Sequence, residues 1–228
     1  DVVLCVAPQV KRELEKIGVT TRMEVLTNPV NEARFSVSAE KRIEGRKLLG
    51  LSHHAKVCVC VGQIQPRKGV AEFLDTAAAS PDVTFIWLGG RPFKRLTADF
   101  DALNTKLANA PKNALFPGVF TLEQMPALYS AADLFFFPSF QENCALAINE
   151  AMACGVPMLL RDNPEYPELY GKENFLKAID VKGYSYEISR FFSDGQMRSD
   201  YSRKSVEAAK RFSVTTFSEG LMKIYRSL

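Results

Sequence analysis

The sequence predicts an α/β domain in which helices cover both faces of a doubly wound parallel sheet. Two observations carry this prediction: short apolar runs rich in β-branched and aromatic residues recur along the chain, and segments of helical period separate them. The strands are predicted at residues 2–6, 57–61, 83–88, 114–116, 133–137 and 156–160. The alternating helices are predicted at residues 8–17, 40–49, 69–79, 97–109, 122–131 and 145–154. Three further helices, predicted at residues 182–193, 197–211 and 214–227, follow with no strand between them.

The composition is that of an ordinary globular chain and argues against several classes of function. The 228 residues are 46% hydrophobic and 24% charged, and no uncharged run is long enough to span a bilayer. Lysine and arginine number 29 against 26 aspartates and glutamates. The resulting net charge of +3 forms no basic stripe, which argues against nucleic acid as a partner. No signal peptide opens the chain.

The cysteines and histidines argue against a metal centre. The five cysteines are an odd number and include no CxxC pair. We therefore expect reduced side chains that pack as small apolar groups, which favours a cytoplasmic protein. His53 and His54 lie in a polar turn with no cluster of metal ligands around them. We expect no metal ion in the site.

A domain boundary is predicted at Pro29, because proline stops a helix and restricts the residue before it. Residues 1–30 would then be the end of a preceding domain and its linker, and the doubly wound domain would begin at residue 31. The chain has no initiator methionine and opens on a predicted core strand. We therefore expect it to be part of a longer protein.

The loop after strand 57–61 is a candidate anion site. It runs from Gly62 to Val70 and carries Arg67 and Lys68 where the next helix is predicted to begin. A helix N-terminus attracts anions and adjacent cations add charge, so these residues favour a phosphate or diphosphate. A solvated basic turn explains the same pattern equally well, and the P-loop order GxxxxGK[ST] is absent.

The loop after strand 83–88 contains Gly89 and Gly90, which either let the backbone approach a ligand or make a tight turn. The stretch that follows, residues 91–112, has a small excess of positive charge, as residues 183–228 also have. We interpret residues 91–112 as a solvated face. Both stretches allow contact with an anionic membrane surface.

Two glutamates mark the stretch from Phe137 to Pro157, in which a strand ends at a proline turn, a polar loop follows and a helix ends at Gly155. Glu142 lies in the loop, and Glu150 lies eight residues later in the helix, beside an apolar run. A carboxylate held there could accept hydrogen bonds from the hydroxyls of a ribose or hexose, and the helix N-terminus would face a phosphate. Alternatively, Glu142 caps the helix and Glu150 pairs with a lysine or arginine.

The spacing of Glu142 and Glu150, followed by Ala151 to Pro157, resembles the E-x7-E signature of the retaining glycosyltransferases of family 4, which have the GT-B fold. Four further segments resemble parts of that family. Arg67-Lys68-Gly69 resembles its diphosphate clamp, and Gly118-Val119-Phe120 resembles its uracil-side segment. Val3 to Gly18 with Asn28 to Asn31 resembles the end of its amino-terminal domain and its linker, and Lys210 to Ser213 leading into Tyr225 resembles its closing helix. The resemblance covers nearly the whole chain. It implies a Rossmann-like doubly wound domain at residues 31–211, one half of a GT-B fold, and a closing helix at residues 212–228.

Within this family, the chain is similar to the bacterial diacylglycerol glucosyltransferases. The similarity rests on Glu142-Asn143, on Arg161 to Tyr166 and on Asn174 to Ala178, a pattern that several lipid-directed relatives share. It implies transfer of a hexose from a UDP-sugar such as UDP-glucose to a lipid such as diacylglycerol. Two alternatives stay open: a family 4 transferase for a polysaccharide or other glycan, and a non-catalytic doubly wound regulatory module.

The resemblance also implies a role for each candidate residue. Lys68 and Arg67 would neutralise the diphosphate and so stabilise the leaving group, while Glu142 would hold hydroxyls of the transferred sugar. Glu150 would hold the ribose hydroxyls, and Val119 would contact the base. The other residues expected to contact the donor are Gly62, Gln63, Asn143, Cys144, Ala145 and Leu146. No cofactor or metal is implied, since the cations and the helix N-terminus supply the positive charge.

Two positions depart from the family pattern. Gln63 stands where many relatives have an arginine, immediately after the first glycine of the clamp. Cys144 stands where many relatives have a glycine, two residues after the first glutamate. We therefore expect one charged contact with the phosphates fewer, and a backbone that approaches them less closely at Cys144.

The resemblance places the acceptor site mainly in an amino-terminal domain outside this chain. A lipid or glycan acceptor would bind there, so we expect the isolated chain to bind a UDP-sugar weakly and to be inactive in transfer. A lipid acceptor implies a cytoplasmic enzyme that is peripheral on the inner face of the membrane.

Overall fold

The computed structural model describes residues 1–91 and 100–228. The strands are β1 Val3–Cys5, β2 Met23–Val25, β3 Val57–Val61, β4 Thr84–Leu88, β5 Ala114–Gly118, β6 Leu134–Phe137, β7 Met158–Arg161 and β8 Leu176–Ala178. The helices are α1 Pro8–Lys16, α2 Ala39–Leu48, α3 Val70–Ala78, α4 Phe100–Ala108, α5 Met125–Ala131, α6 Leu146–Ala153, α7 Tyr166–Tyr170, α8 Val181–Ser193, α9 Gly195–Ala209 and α10 Val214–Tyr225. Short 3₁₀ turns at Pro66–Lys68 and Lys210–Phe212 precede α3 and α10.

Six parallel strands form the main sheet in the order β5-β4-β3-β6-β7-β8. Helices connect consecutive strands, which confirms the predicted doubly wound α/β fold. Counted from β3, the order is 3-2-1-4-5-6, that of a Rossmann-like sheet, in which ligands bind where the strand order reverses. This switch point lies between β3 and β6. The loops that follow these two strands therefore form the expected binding edge.

A second, smaller sheet consists of the parallel strands β1 and β2, which α1 connects. The linker that follows pairs with the segment leading into α10: the N–H of Val30 donates to the carbonyl of Phe212 at 2.7 Å, and Val30 and Ser213 form a parallel bridge. The linker and the start of the closing helix thus lie side by side. The domain boundaries after residues 30 and 211 stay predictions.

The core lies around the central strands, whose side chains are apolar, β-branched or aromatic. Every side chain of β6 is at most 1% exposed. The ring of Phe73 on α3 has its centroid 5.1 Å from that of Trp87 and 5.9 Å from that of Phe136, so α3 packs against β4 and β6. As predicted, the five cysteines are free, and all but Cys144 are buried.

The sequence does not predict β2, α7 and β8. Each is three to five residues long, which is too short to display a period of 2 or 3.6. Hydrogen bonds to β1 and β7 define the two strands instead. Of the predicted helix 97–109, residues 97–99 lie outside the described residues, as do residues 92–99 of the basic stretch 91–112.

One buried cation ties α2 to the main sheet. Arg46 is 2% exposed, and its guanidinium donates to the carbonyls of Ser52 and Ala55 at 2.7 and 3.1 Å. It also donates to both carboxylate oxygens of Asp133, at 3.1 and 3.3 Å. Asp133 accepts a further hydrogen bond from the N–H of Val57 at 2.9 Å. The network therefore joins α2 to the first residue of β3 and to the residue before β6.

Candidate active site

The loops that follow β3 and β6 touch at the switch point. The turn Pro66–Lys68 ends at Gly69, whose φ of +77° favours glycine. A Cβ on Gly69 would lie 2.3 Å from the carbonyl oxygen of Pro138, so a larger residue would push the two loops apart. The N–H of Phe140 donates to the carbonyl of Arg67 at 2.9 Å. This contact brings the cations of one loop to the carboxylate of the other.

Lys68 and Glu142 form an ion pair at this contact. Nζ of Lys68 lies 2.5 Å from Oε1 of Glu142, and the two side chains are 15% and 10% exposed. The hydroxyl of Ser139 donates to the same oxygen at 2.6 Å. Arg67 is about half exposed, with Nη1 3.5 Å from Oε1 of Glu142 and 2.5 Å from the carbonyl oxygen of Gln141. The three residues predicted to be catalytic are thus neighbours.

Helix α6 begins next to this ion pair, at Leu146. Ala145 is the N-cap residue, and within residues 1–91 and 100–228 no side chain caps the helix. The first N–H groups of a helix have no acceptor in the helix itself, so an anion at this end would satisfy them. The alternative in which Glu142 caps the helix is wrong, because its carboxylate pairs with Lys68 instead.

Asn143 and Cys144 lie in the loop before α6, where side chains from other segments hold them. Gln9 on α1 donates through Nε2 to the carbonyl of Asn143 at 2.8 Å. The side-chain nitrogen of Asn149 lies 3.8 Å from the sulfur of Cys144 and donates to the carbonyl of Asn28 at 3.3 Å. Burial raises the pKa of the Cys144 thiol, which keeps it protonated. Residues 1–30 therefore contact the loop that carries the first glutamate.

A cleft of about 490 Å³ opens at the carboxyl ends of β3 and β4. Four residues predicted to bind the donor line it: Gly62, Gln63, Val119 and Glu150. The other lining residues are Val61, Leu88, Gly89, Gly90, Arg91, Phe120, Leu122 and Met125. Lys68 borders the cleft, since its Cδ would lie 3.9 Å from a Cβ on Gly62. The cleft and the Lys68–Glu142 pair therefore form one continuous site.

Gly89 is required by the packing of two loops at the cleft. A Cβ on Gly89 would lie 2.0 Å from the carbonyl oxygen of Gly62. That same carbonyl accepts a hydrogen bond from the indole N–H of Trp87 at 2.9 Å, so the backbone at Gly62 has little freedom to move away. Close approach of two backbones thus explains Gly89, while Gly90 is one of the residues that line the cleft.

Glu150 lines the cleft, and within the described part of the chain it has no ion pair of the kind that one interpretation expects. Its Oε2 accepts a hydrogen bond from the hydroxyl of Tyr129 at 2.7 Å. Burial raises the pKa of Glu150, and this hydrogen bond and the charge of Arg34 partly oppose that rise. The hydrogen-bond partner is a neutral hydroxyl and not a lysine or arginine. Glu150 therefore keeps capacity to accept hydrogen bonds from a ligand.

Ser139 and Tyr129 contact the two glutamates, and the sequence analysis singles out neither. Both side chains are fully buried. Each lies in or next to a stretch that reads as core, Ser139 just after strand 133–137 and Tyr129 inside helix 122–131. The one signal in the sequence that could have identified them is a hydroxyl group in a stretch predicted to be buried, because a buried hydroxyl needs a hydrogen-bond partner.

Residues 55–194 match the family model described as "Glycosyl transferases group 1". The matched region includes Lys68, Glu142 and Glu150 and spans more than half of the chain. The chain belongs to the group 1 glycosyl transferases. The predicted resemblance to glycosyltransferases is thereby confirmed.

This chain is similar to two curated proteins that have diacylglycerol in their names. It is 33% identical over 210 residues to the alpha-galactosylglucosyldiacylglycerol synthase of Streptococcus pneumoniae, an overlap of 83% of this chain and 56% of that protein. It is 29% identical over 211 residues to the processive diacylglycerol alpha-glucosyltransferase of Acholeplasma laidlawii, an overlap of 92% of this chain and 62% of that protein. The chain thus spans somewhat more than half the length of these relatives.

This chain shares its whole fold with part of a solved structure. Anabaena HepE, crystallised in complex with UDP and glucose, superposes with a TM-score of 0.87 over 100% of this chain and 63% of its own, at 21% identity. The fold is that of a GT-B glycosyltransferase domain. Among the described helices, none is both long and apolar enough to cross a bilayer.

Proposed function

We propose that this chain is the donor-binding carboxy-terminal half of a retaining family 4 hexosyltransferase. Its donor would be a UDP-sugar such as UDP-glucose, and its acceptor a lipid such as diacylglycerol. One observation carries the proposal: Lys68, Glu142 and Glu150 converge at the switch point, around a cleft that also contains Gly62. The names of the two curated relatives support the acceptor class, and the HepE structure with UDP and glucose supports the donor class.

The diphosphate of the donor would bind between Lys68 and the start of α6. Lys68 is the better placed of the two cations, because its ammonium is largely buried whereas Arg67 is about half exposed. Positive charge at this point stabilises the negative charge that develops on the leaving UDP as the glycosidic bond breaks. The two cations and the helix N-terminus supply that charge, so the proposal includes no metal ion and no cofactor.

The two glutamates would bind the two sugars of the donor. Glu142 accepts hydrogen bonds from Lys68 and Ser139 through Oε1, which leaves Oε2 for hydroxyls of the transferred hexose. Glu150 lines the cleft and would accept from the ribose hydroxyls. Val119 is 78% exposed and lines the same cleft, so a base could cover its apolar surface.

The acceptor would bind mainly to the part of the enzyme outside this chain. Two features support this: the chain spans 56% and 62% of the two curated relatives, and residues 1–30 form a small sheet that is separate from the main one. A lipid acceptor would place the enzyme in the cytoplasm at the inner face of the membrane. The small positive excess at residues 183–228 supports contact with an anionic surface.

The purified 228-residue chain is expected to bind UDP and UDP-glucose but to transfer no hexose, because the acceptor site would lie outside it. Saturation-transfer NMR measures the binding, and transfer from labelled UDP-glucose to diacylglycerol vesicles measures the activity. Contact with neither nucleotide would favour the non-catalytic module, and transfer by the chain alone would contradict the location of the acceptor site. A screen of lipid and glycan acceptors with the whole protein separates diacylglycerol from a polysaccharide.

Glu150→Gln is expected to weaken UDP binding and, without ligand, to stabilise the fold near pH 7. Burial raises the pKa of Glu150 above its usual value of 4.5, so its ionised form destabilises the folded chain at pH above that raised pKa. Removing this cost should raise the melting temperature by about 2 °C, as roughly 1 kcal/mol does in a chain of this size. The gain should fade as the pH falls and Glu150 becomes protonated in the folded chain.

The matched control for this substitution is Glu207→Gln, at a carboxylate that is 71% exposed and paired with Lys210. It should leave both UDP affinity and melting temperature nearly unchanged. A lower melting temperature for Glu150→Gln at every pH would contradict the assigned cost of burial.

A further inference from the structure

Each glutamate of the proposed donor site accepts a hydrogen bond from a buried neutral hydroxyl. Ser139 donates to Oε1 of Glu142 at 2.6 Å, and Tyr129 donates to Oε2 of Glu150 at 2.7 Å. Both donors are 0% exposed. Each hydroxyl therefore contacts its carboxylate from inside the protein, where solvent does not reach it.

Backbone hydrogen bonds hold the segment around Ser139. Its carbonyl accepts a hydrogen bond from Nδ2 of Asn163 at 3.0 Å, and the next residue, Phe140, donates to the carbonyl of Arg67. Glu142 is the nearest of three acceptors to the Ser139 hydroxyl, at 2.6 Å against 3.4 Å for the carbonyls of Arg67 and Gln141. Lys68 shares Oε1 of Glu142 with Ser139. When a diphosphate attracts Lys68, Ser139 is the neutral contact that stays on Glu142.

Packing holds the ring of Tyr129, whose hydroxyl donates to Glu150. Its ring lies 6.0 Å from that of Phe35, edge on, and 5.9 Å from that of Phe135. Helix α5 therefore holds the Tyr129 hydroxyl at a constant position behind Glu150. A phenol carries one proton and can donate to one carboxylate oxygen.

We propose that Ser139 and Tyr129 are positioning residues of the donor site, Ser139 for the sugar-binding Glu142 and Tyr129 for the ribose-binding Glu150. A guanidinium in either place would engage both oxygens of the carboxylate. A single hydroxyl orients one oxygen and leaves the other for a ligand hydroxyl. This inference rests on the proposed function and deepens it.

Two substitutions test the two positioning roles separately. In the 228-residue chain, Ser139→Ala should weaken UDP-glucose binding relative to UDP binding by about tenfold, because only UDP-glucose presents a hexose to Glu142. Tyr129→Phe should weaken UDP binding by about tenfold, but 2′,3′-dideoxy-UDP binding by less than about twofold, because that ligand has no ribose hydroxyls. Calorimetry with the three ligands gives both ratios.

Comparing the affinities of two ligands for the same variant corrects for any general loss of folded protein. Ser205→Ala and Tyr184→Phe are matched controls, since both remove a hydroxyl from a fully buried side chain outside the site, on α9 and α8. They should leave both ratios unchanged. Ser139→Thr keeps the hydroxyl and should restore the UDP-glucose to UDP ratio even where the added methyl group lowers the melting temperature.

A pH titration gives a readout that packing alone would not move. Tyr129→Phe removes a hydrogen bond that lowers the pKa of Glu150, so the loss of UDP affinity on acidification should begin at a higher pH. Among residues 1–91 and 100–228, the other ionisable groups near Glu150 are Arg34 before α2, Cys154 at the C-terminal end of α6, and Arg91, which lines the same cleft. They are the same in both proteins.

Equal weakening of all ligands, or changes in melting temperature alone, would overturn the positioning roles while leaving the proposed function intact. If the unaltered chain binds no UDP, the proposed function fails, and the positioning roles fail with it. The two failures are distinguished by the unaltered chain, which is measured first.

Discussion

Lys68→Ala is expected to lower the affinity of the chain for UDP by about 30-fold, or ~2 kcal/mol, because a hydrogen bond to a charged group contributes about 1.5–3 kcal/mol. The Lys68 side chain is only 15% exposed, and its ammonium lies 2.5 Å from Oε1 of Glu142. The substitution also leaves that carboxylate without its main counter-charge. Calorimetric titration with UDP measures the effect.

Lys106→Ala is the matched control for this loss. Lys106 pairs with Asp75 at 2.7 Å, but the two side chains are 44% and 53% exposed, and exposed pairs contribute about 0–1 kcal/mol to stability. UDP affinity should stay the same in this variant. Unchanged affinity in a folded Lys68→Ala chain would instead remove Lys68 from the site.

Arg46→Met is expected to destabilise the fold by about 2–3 kcal/mol, because several backbone carbonyls lose a buried, charged hydrogen-bond donor. The side chain is 2% exposed and bonded to Asp133 and to several backbone carbonyls. Methionine fills a similar volume but donates no hydrogen bond, so those carbonyls lose this donor. Asp133 keeps its ion pair with Arg42 at 2.5 Å and the hydrogen bond from the N–H of Val57. Urea unfolding followed by circular dichroism measures the change in the free energy of unfolding.

Arg203→Met tests whether burial is the cause. Arg203 pairs with Asp200 at 3.3 Å on α9 while 75% exposed, and its replacement should cost less than about 0.5 kcal/mol. A loss below about 1 kcal/mol for Arg46→Met would mean that solvent or neighbouring groups satisfy the freed carbonyls after the substitution.

The main sheet could be predicted from the sequence where its strands are long and apolar. The runs that form β3 and β6 are bounded by turn residues and consist of valine, cysteine, leucine and phenylalanine. Because all of these side chains are apolar, the sequence predicts that the whole strand is buried. Strands β2 and β8 have three residues each and acquire their identity from pairing with β1 and β7. No local pattern reports such pairing.

The charged residues of the candidate site could be predicted from the sequence, but the contacts between them could not. The pattern around Arg67, Lys68, Glu142 and Glu150 is visible along the chain because it consists of residue types at fixed spacing. The contact between Lys68 and Glu142 joins residues 74 apart, and it exists because β3 and β6 are neighbours in the sheet. The hydroxyls of Ser139 and Tyr129 carry no charge and show no pattern, so only packing reveals them.

By itself, the sequence determined which segments are buried, which carry charge and which family the chain resembles, since these depend on side-chain type and local spacing. Only the tertiary structure decided which charged groups meet. Strand order brings the loops after β3 and β6 together, Gly69 lets their backbones touch, and the packing of α5 sets Tyr129 behind Glu150. The physical reason is that hydrogen bonds and packing between distant segments depend on the path of the whole chain.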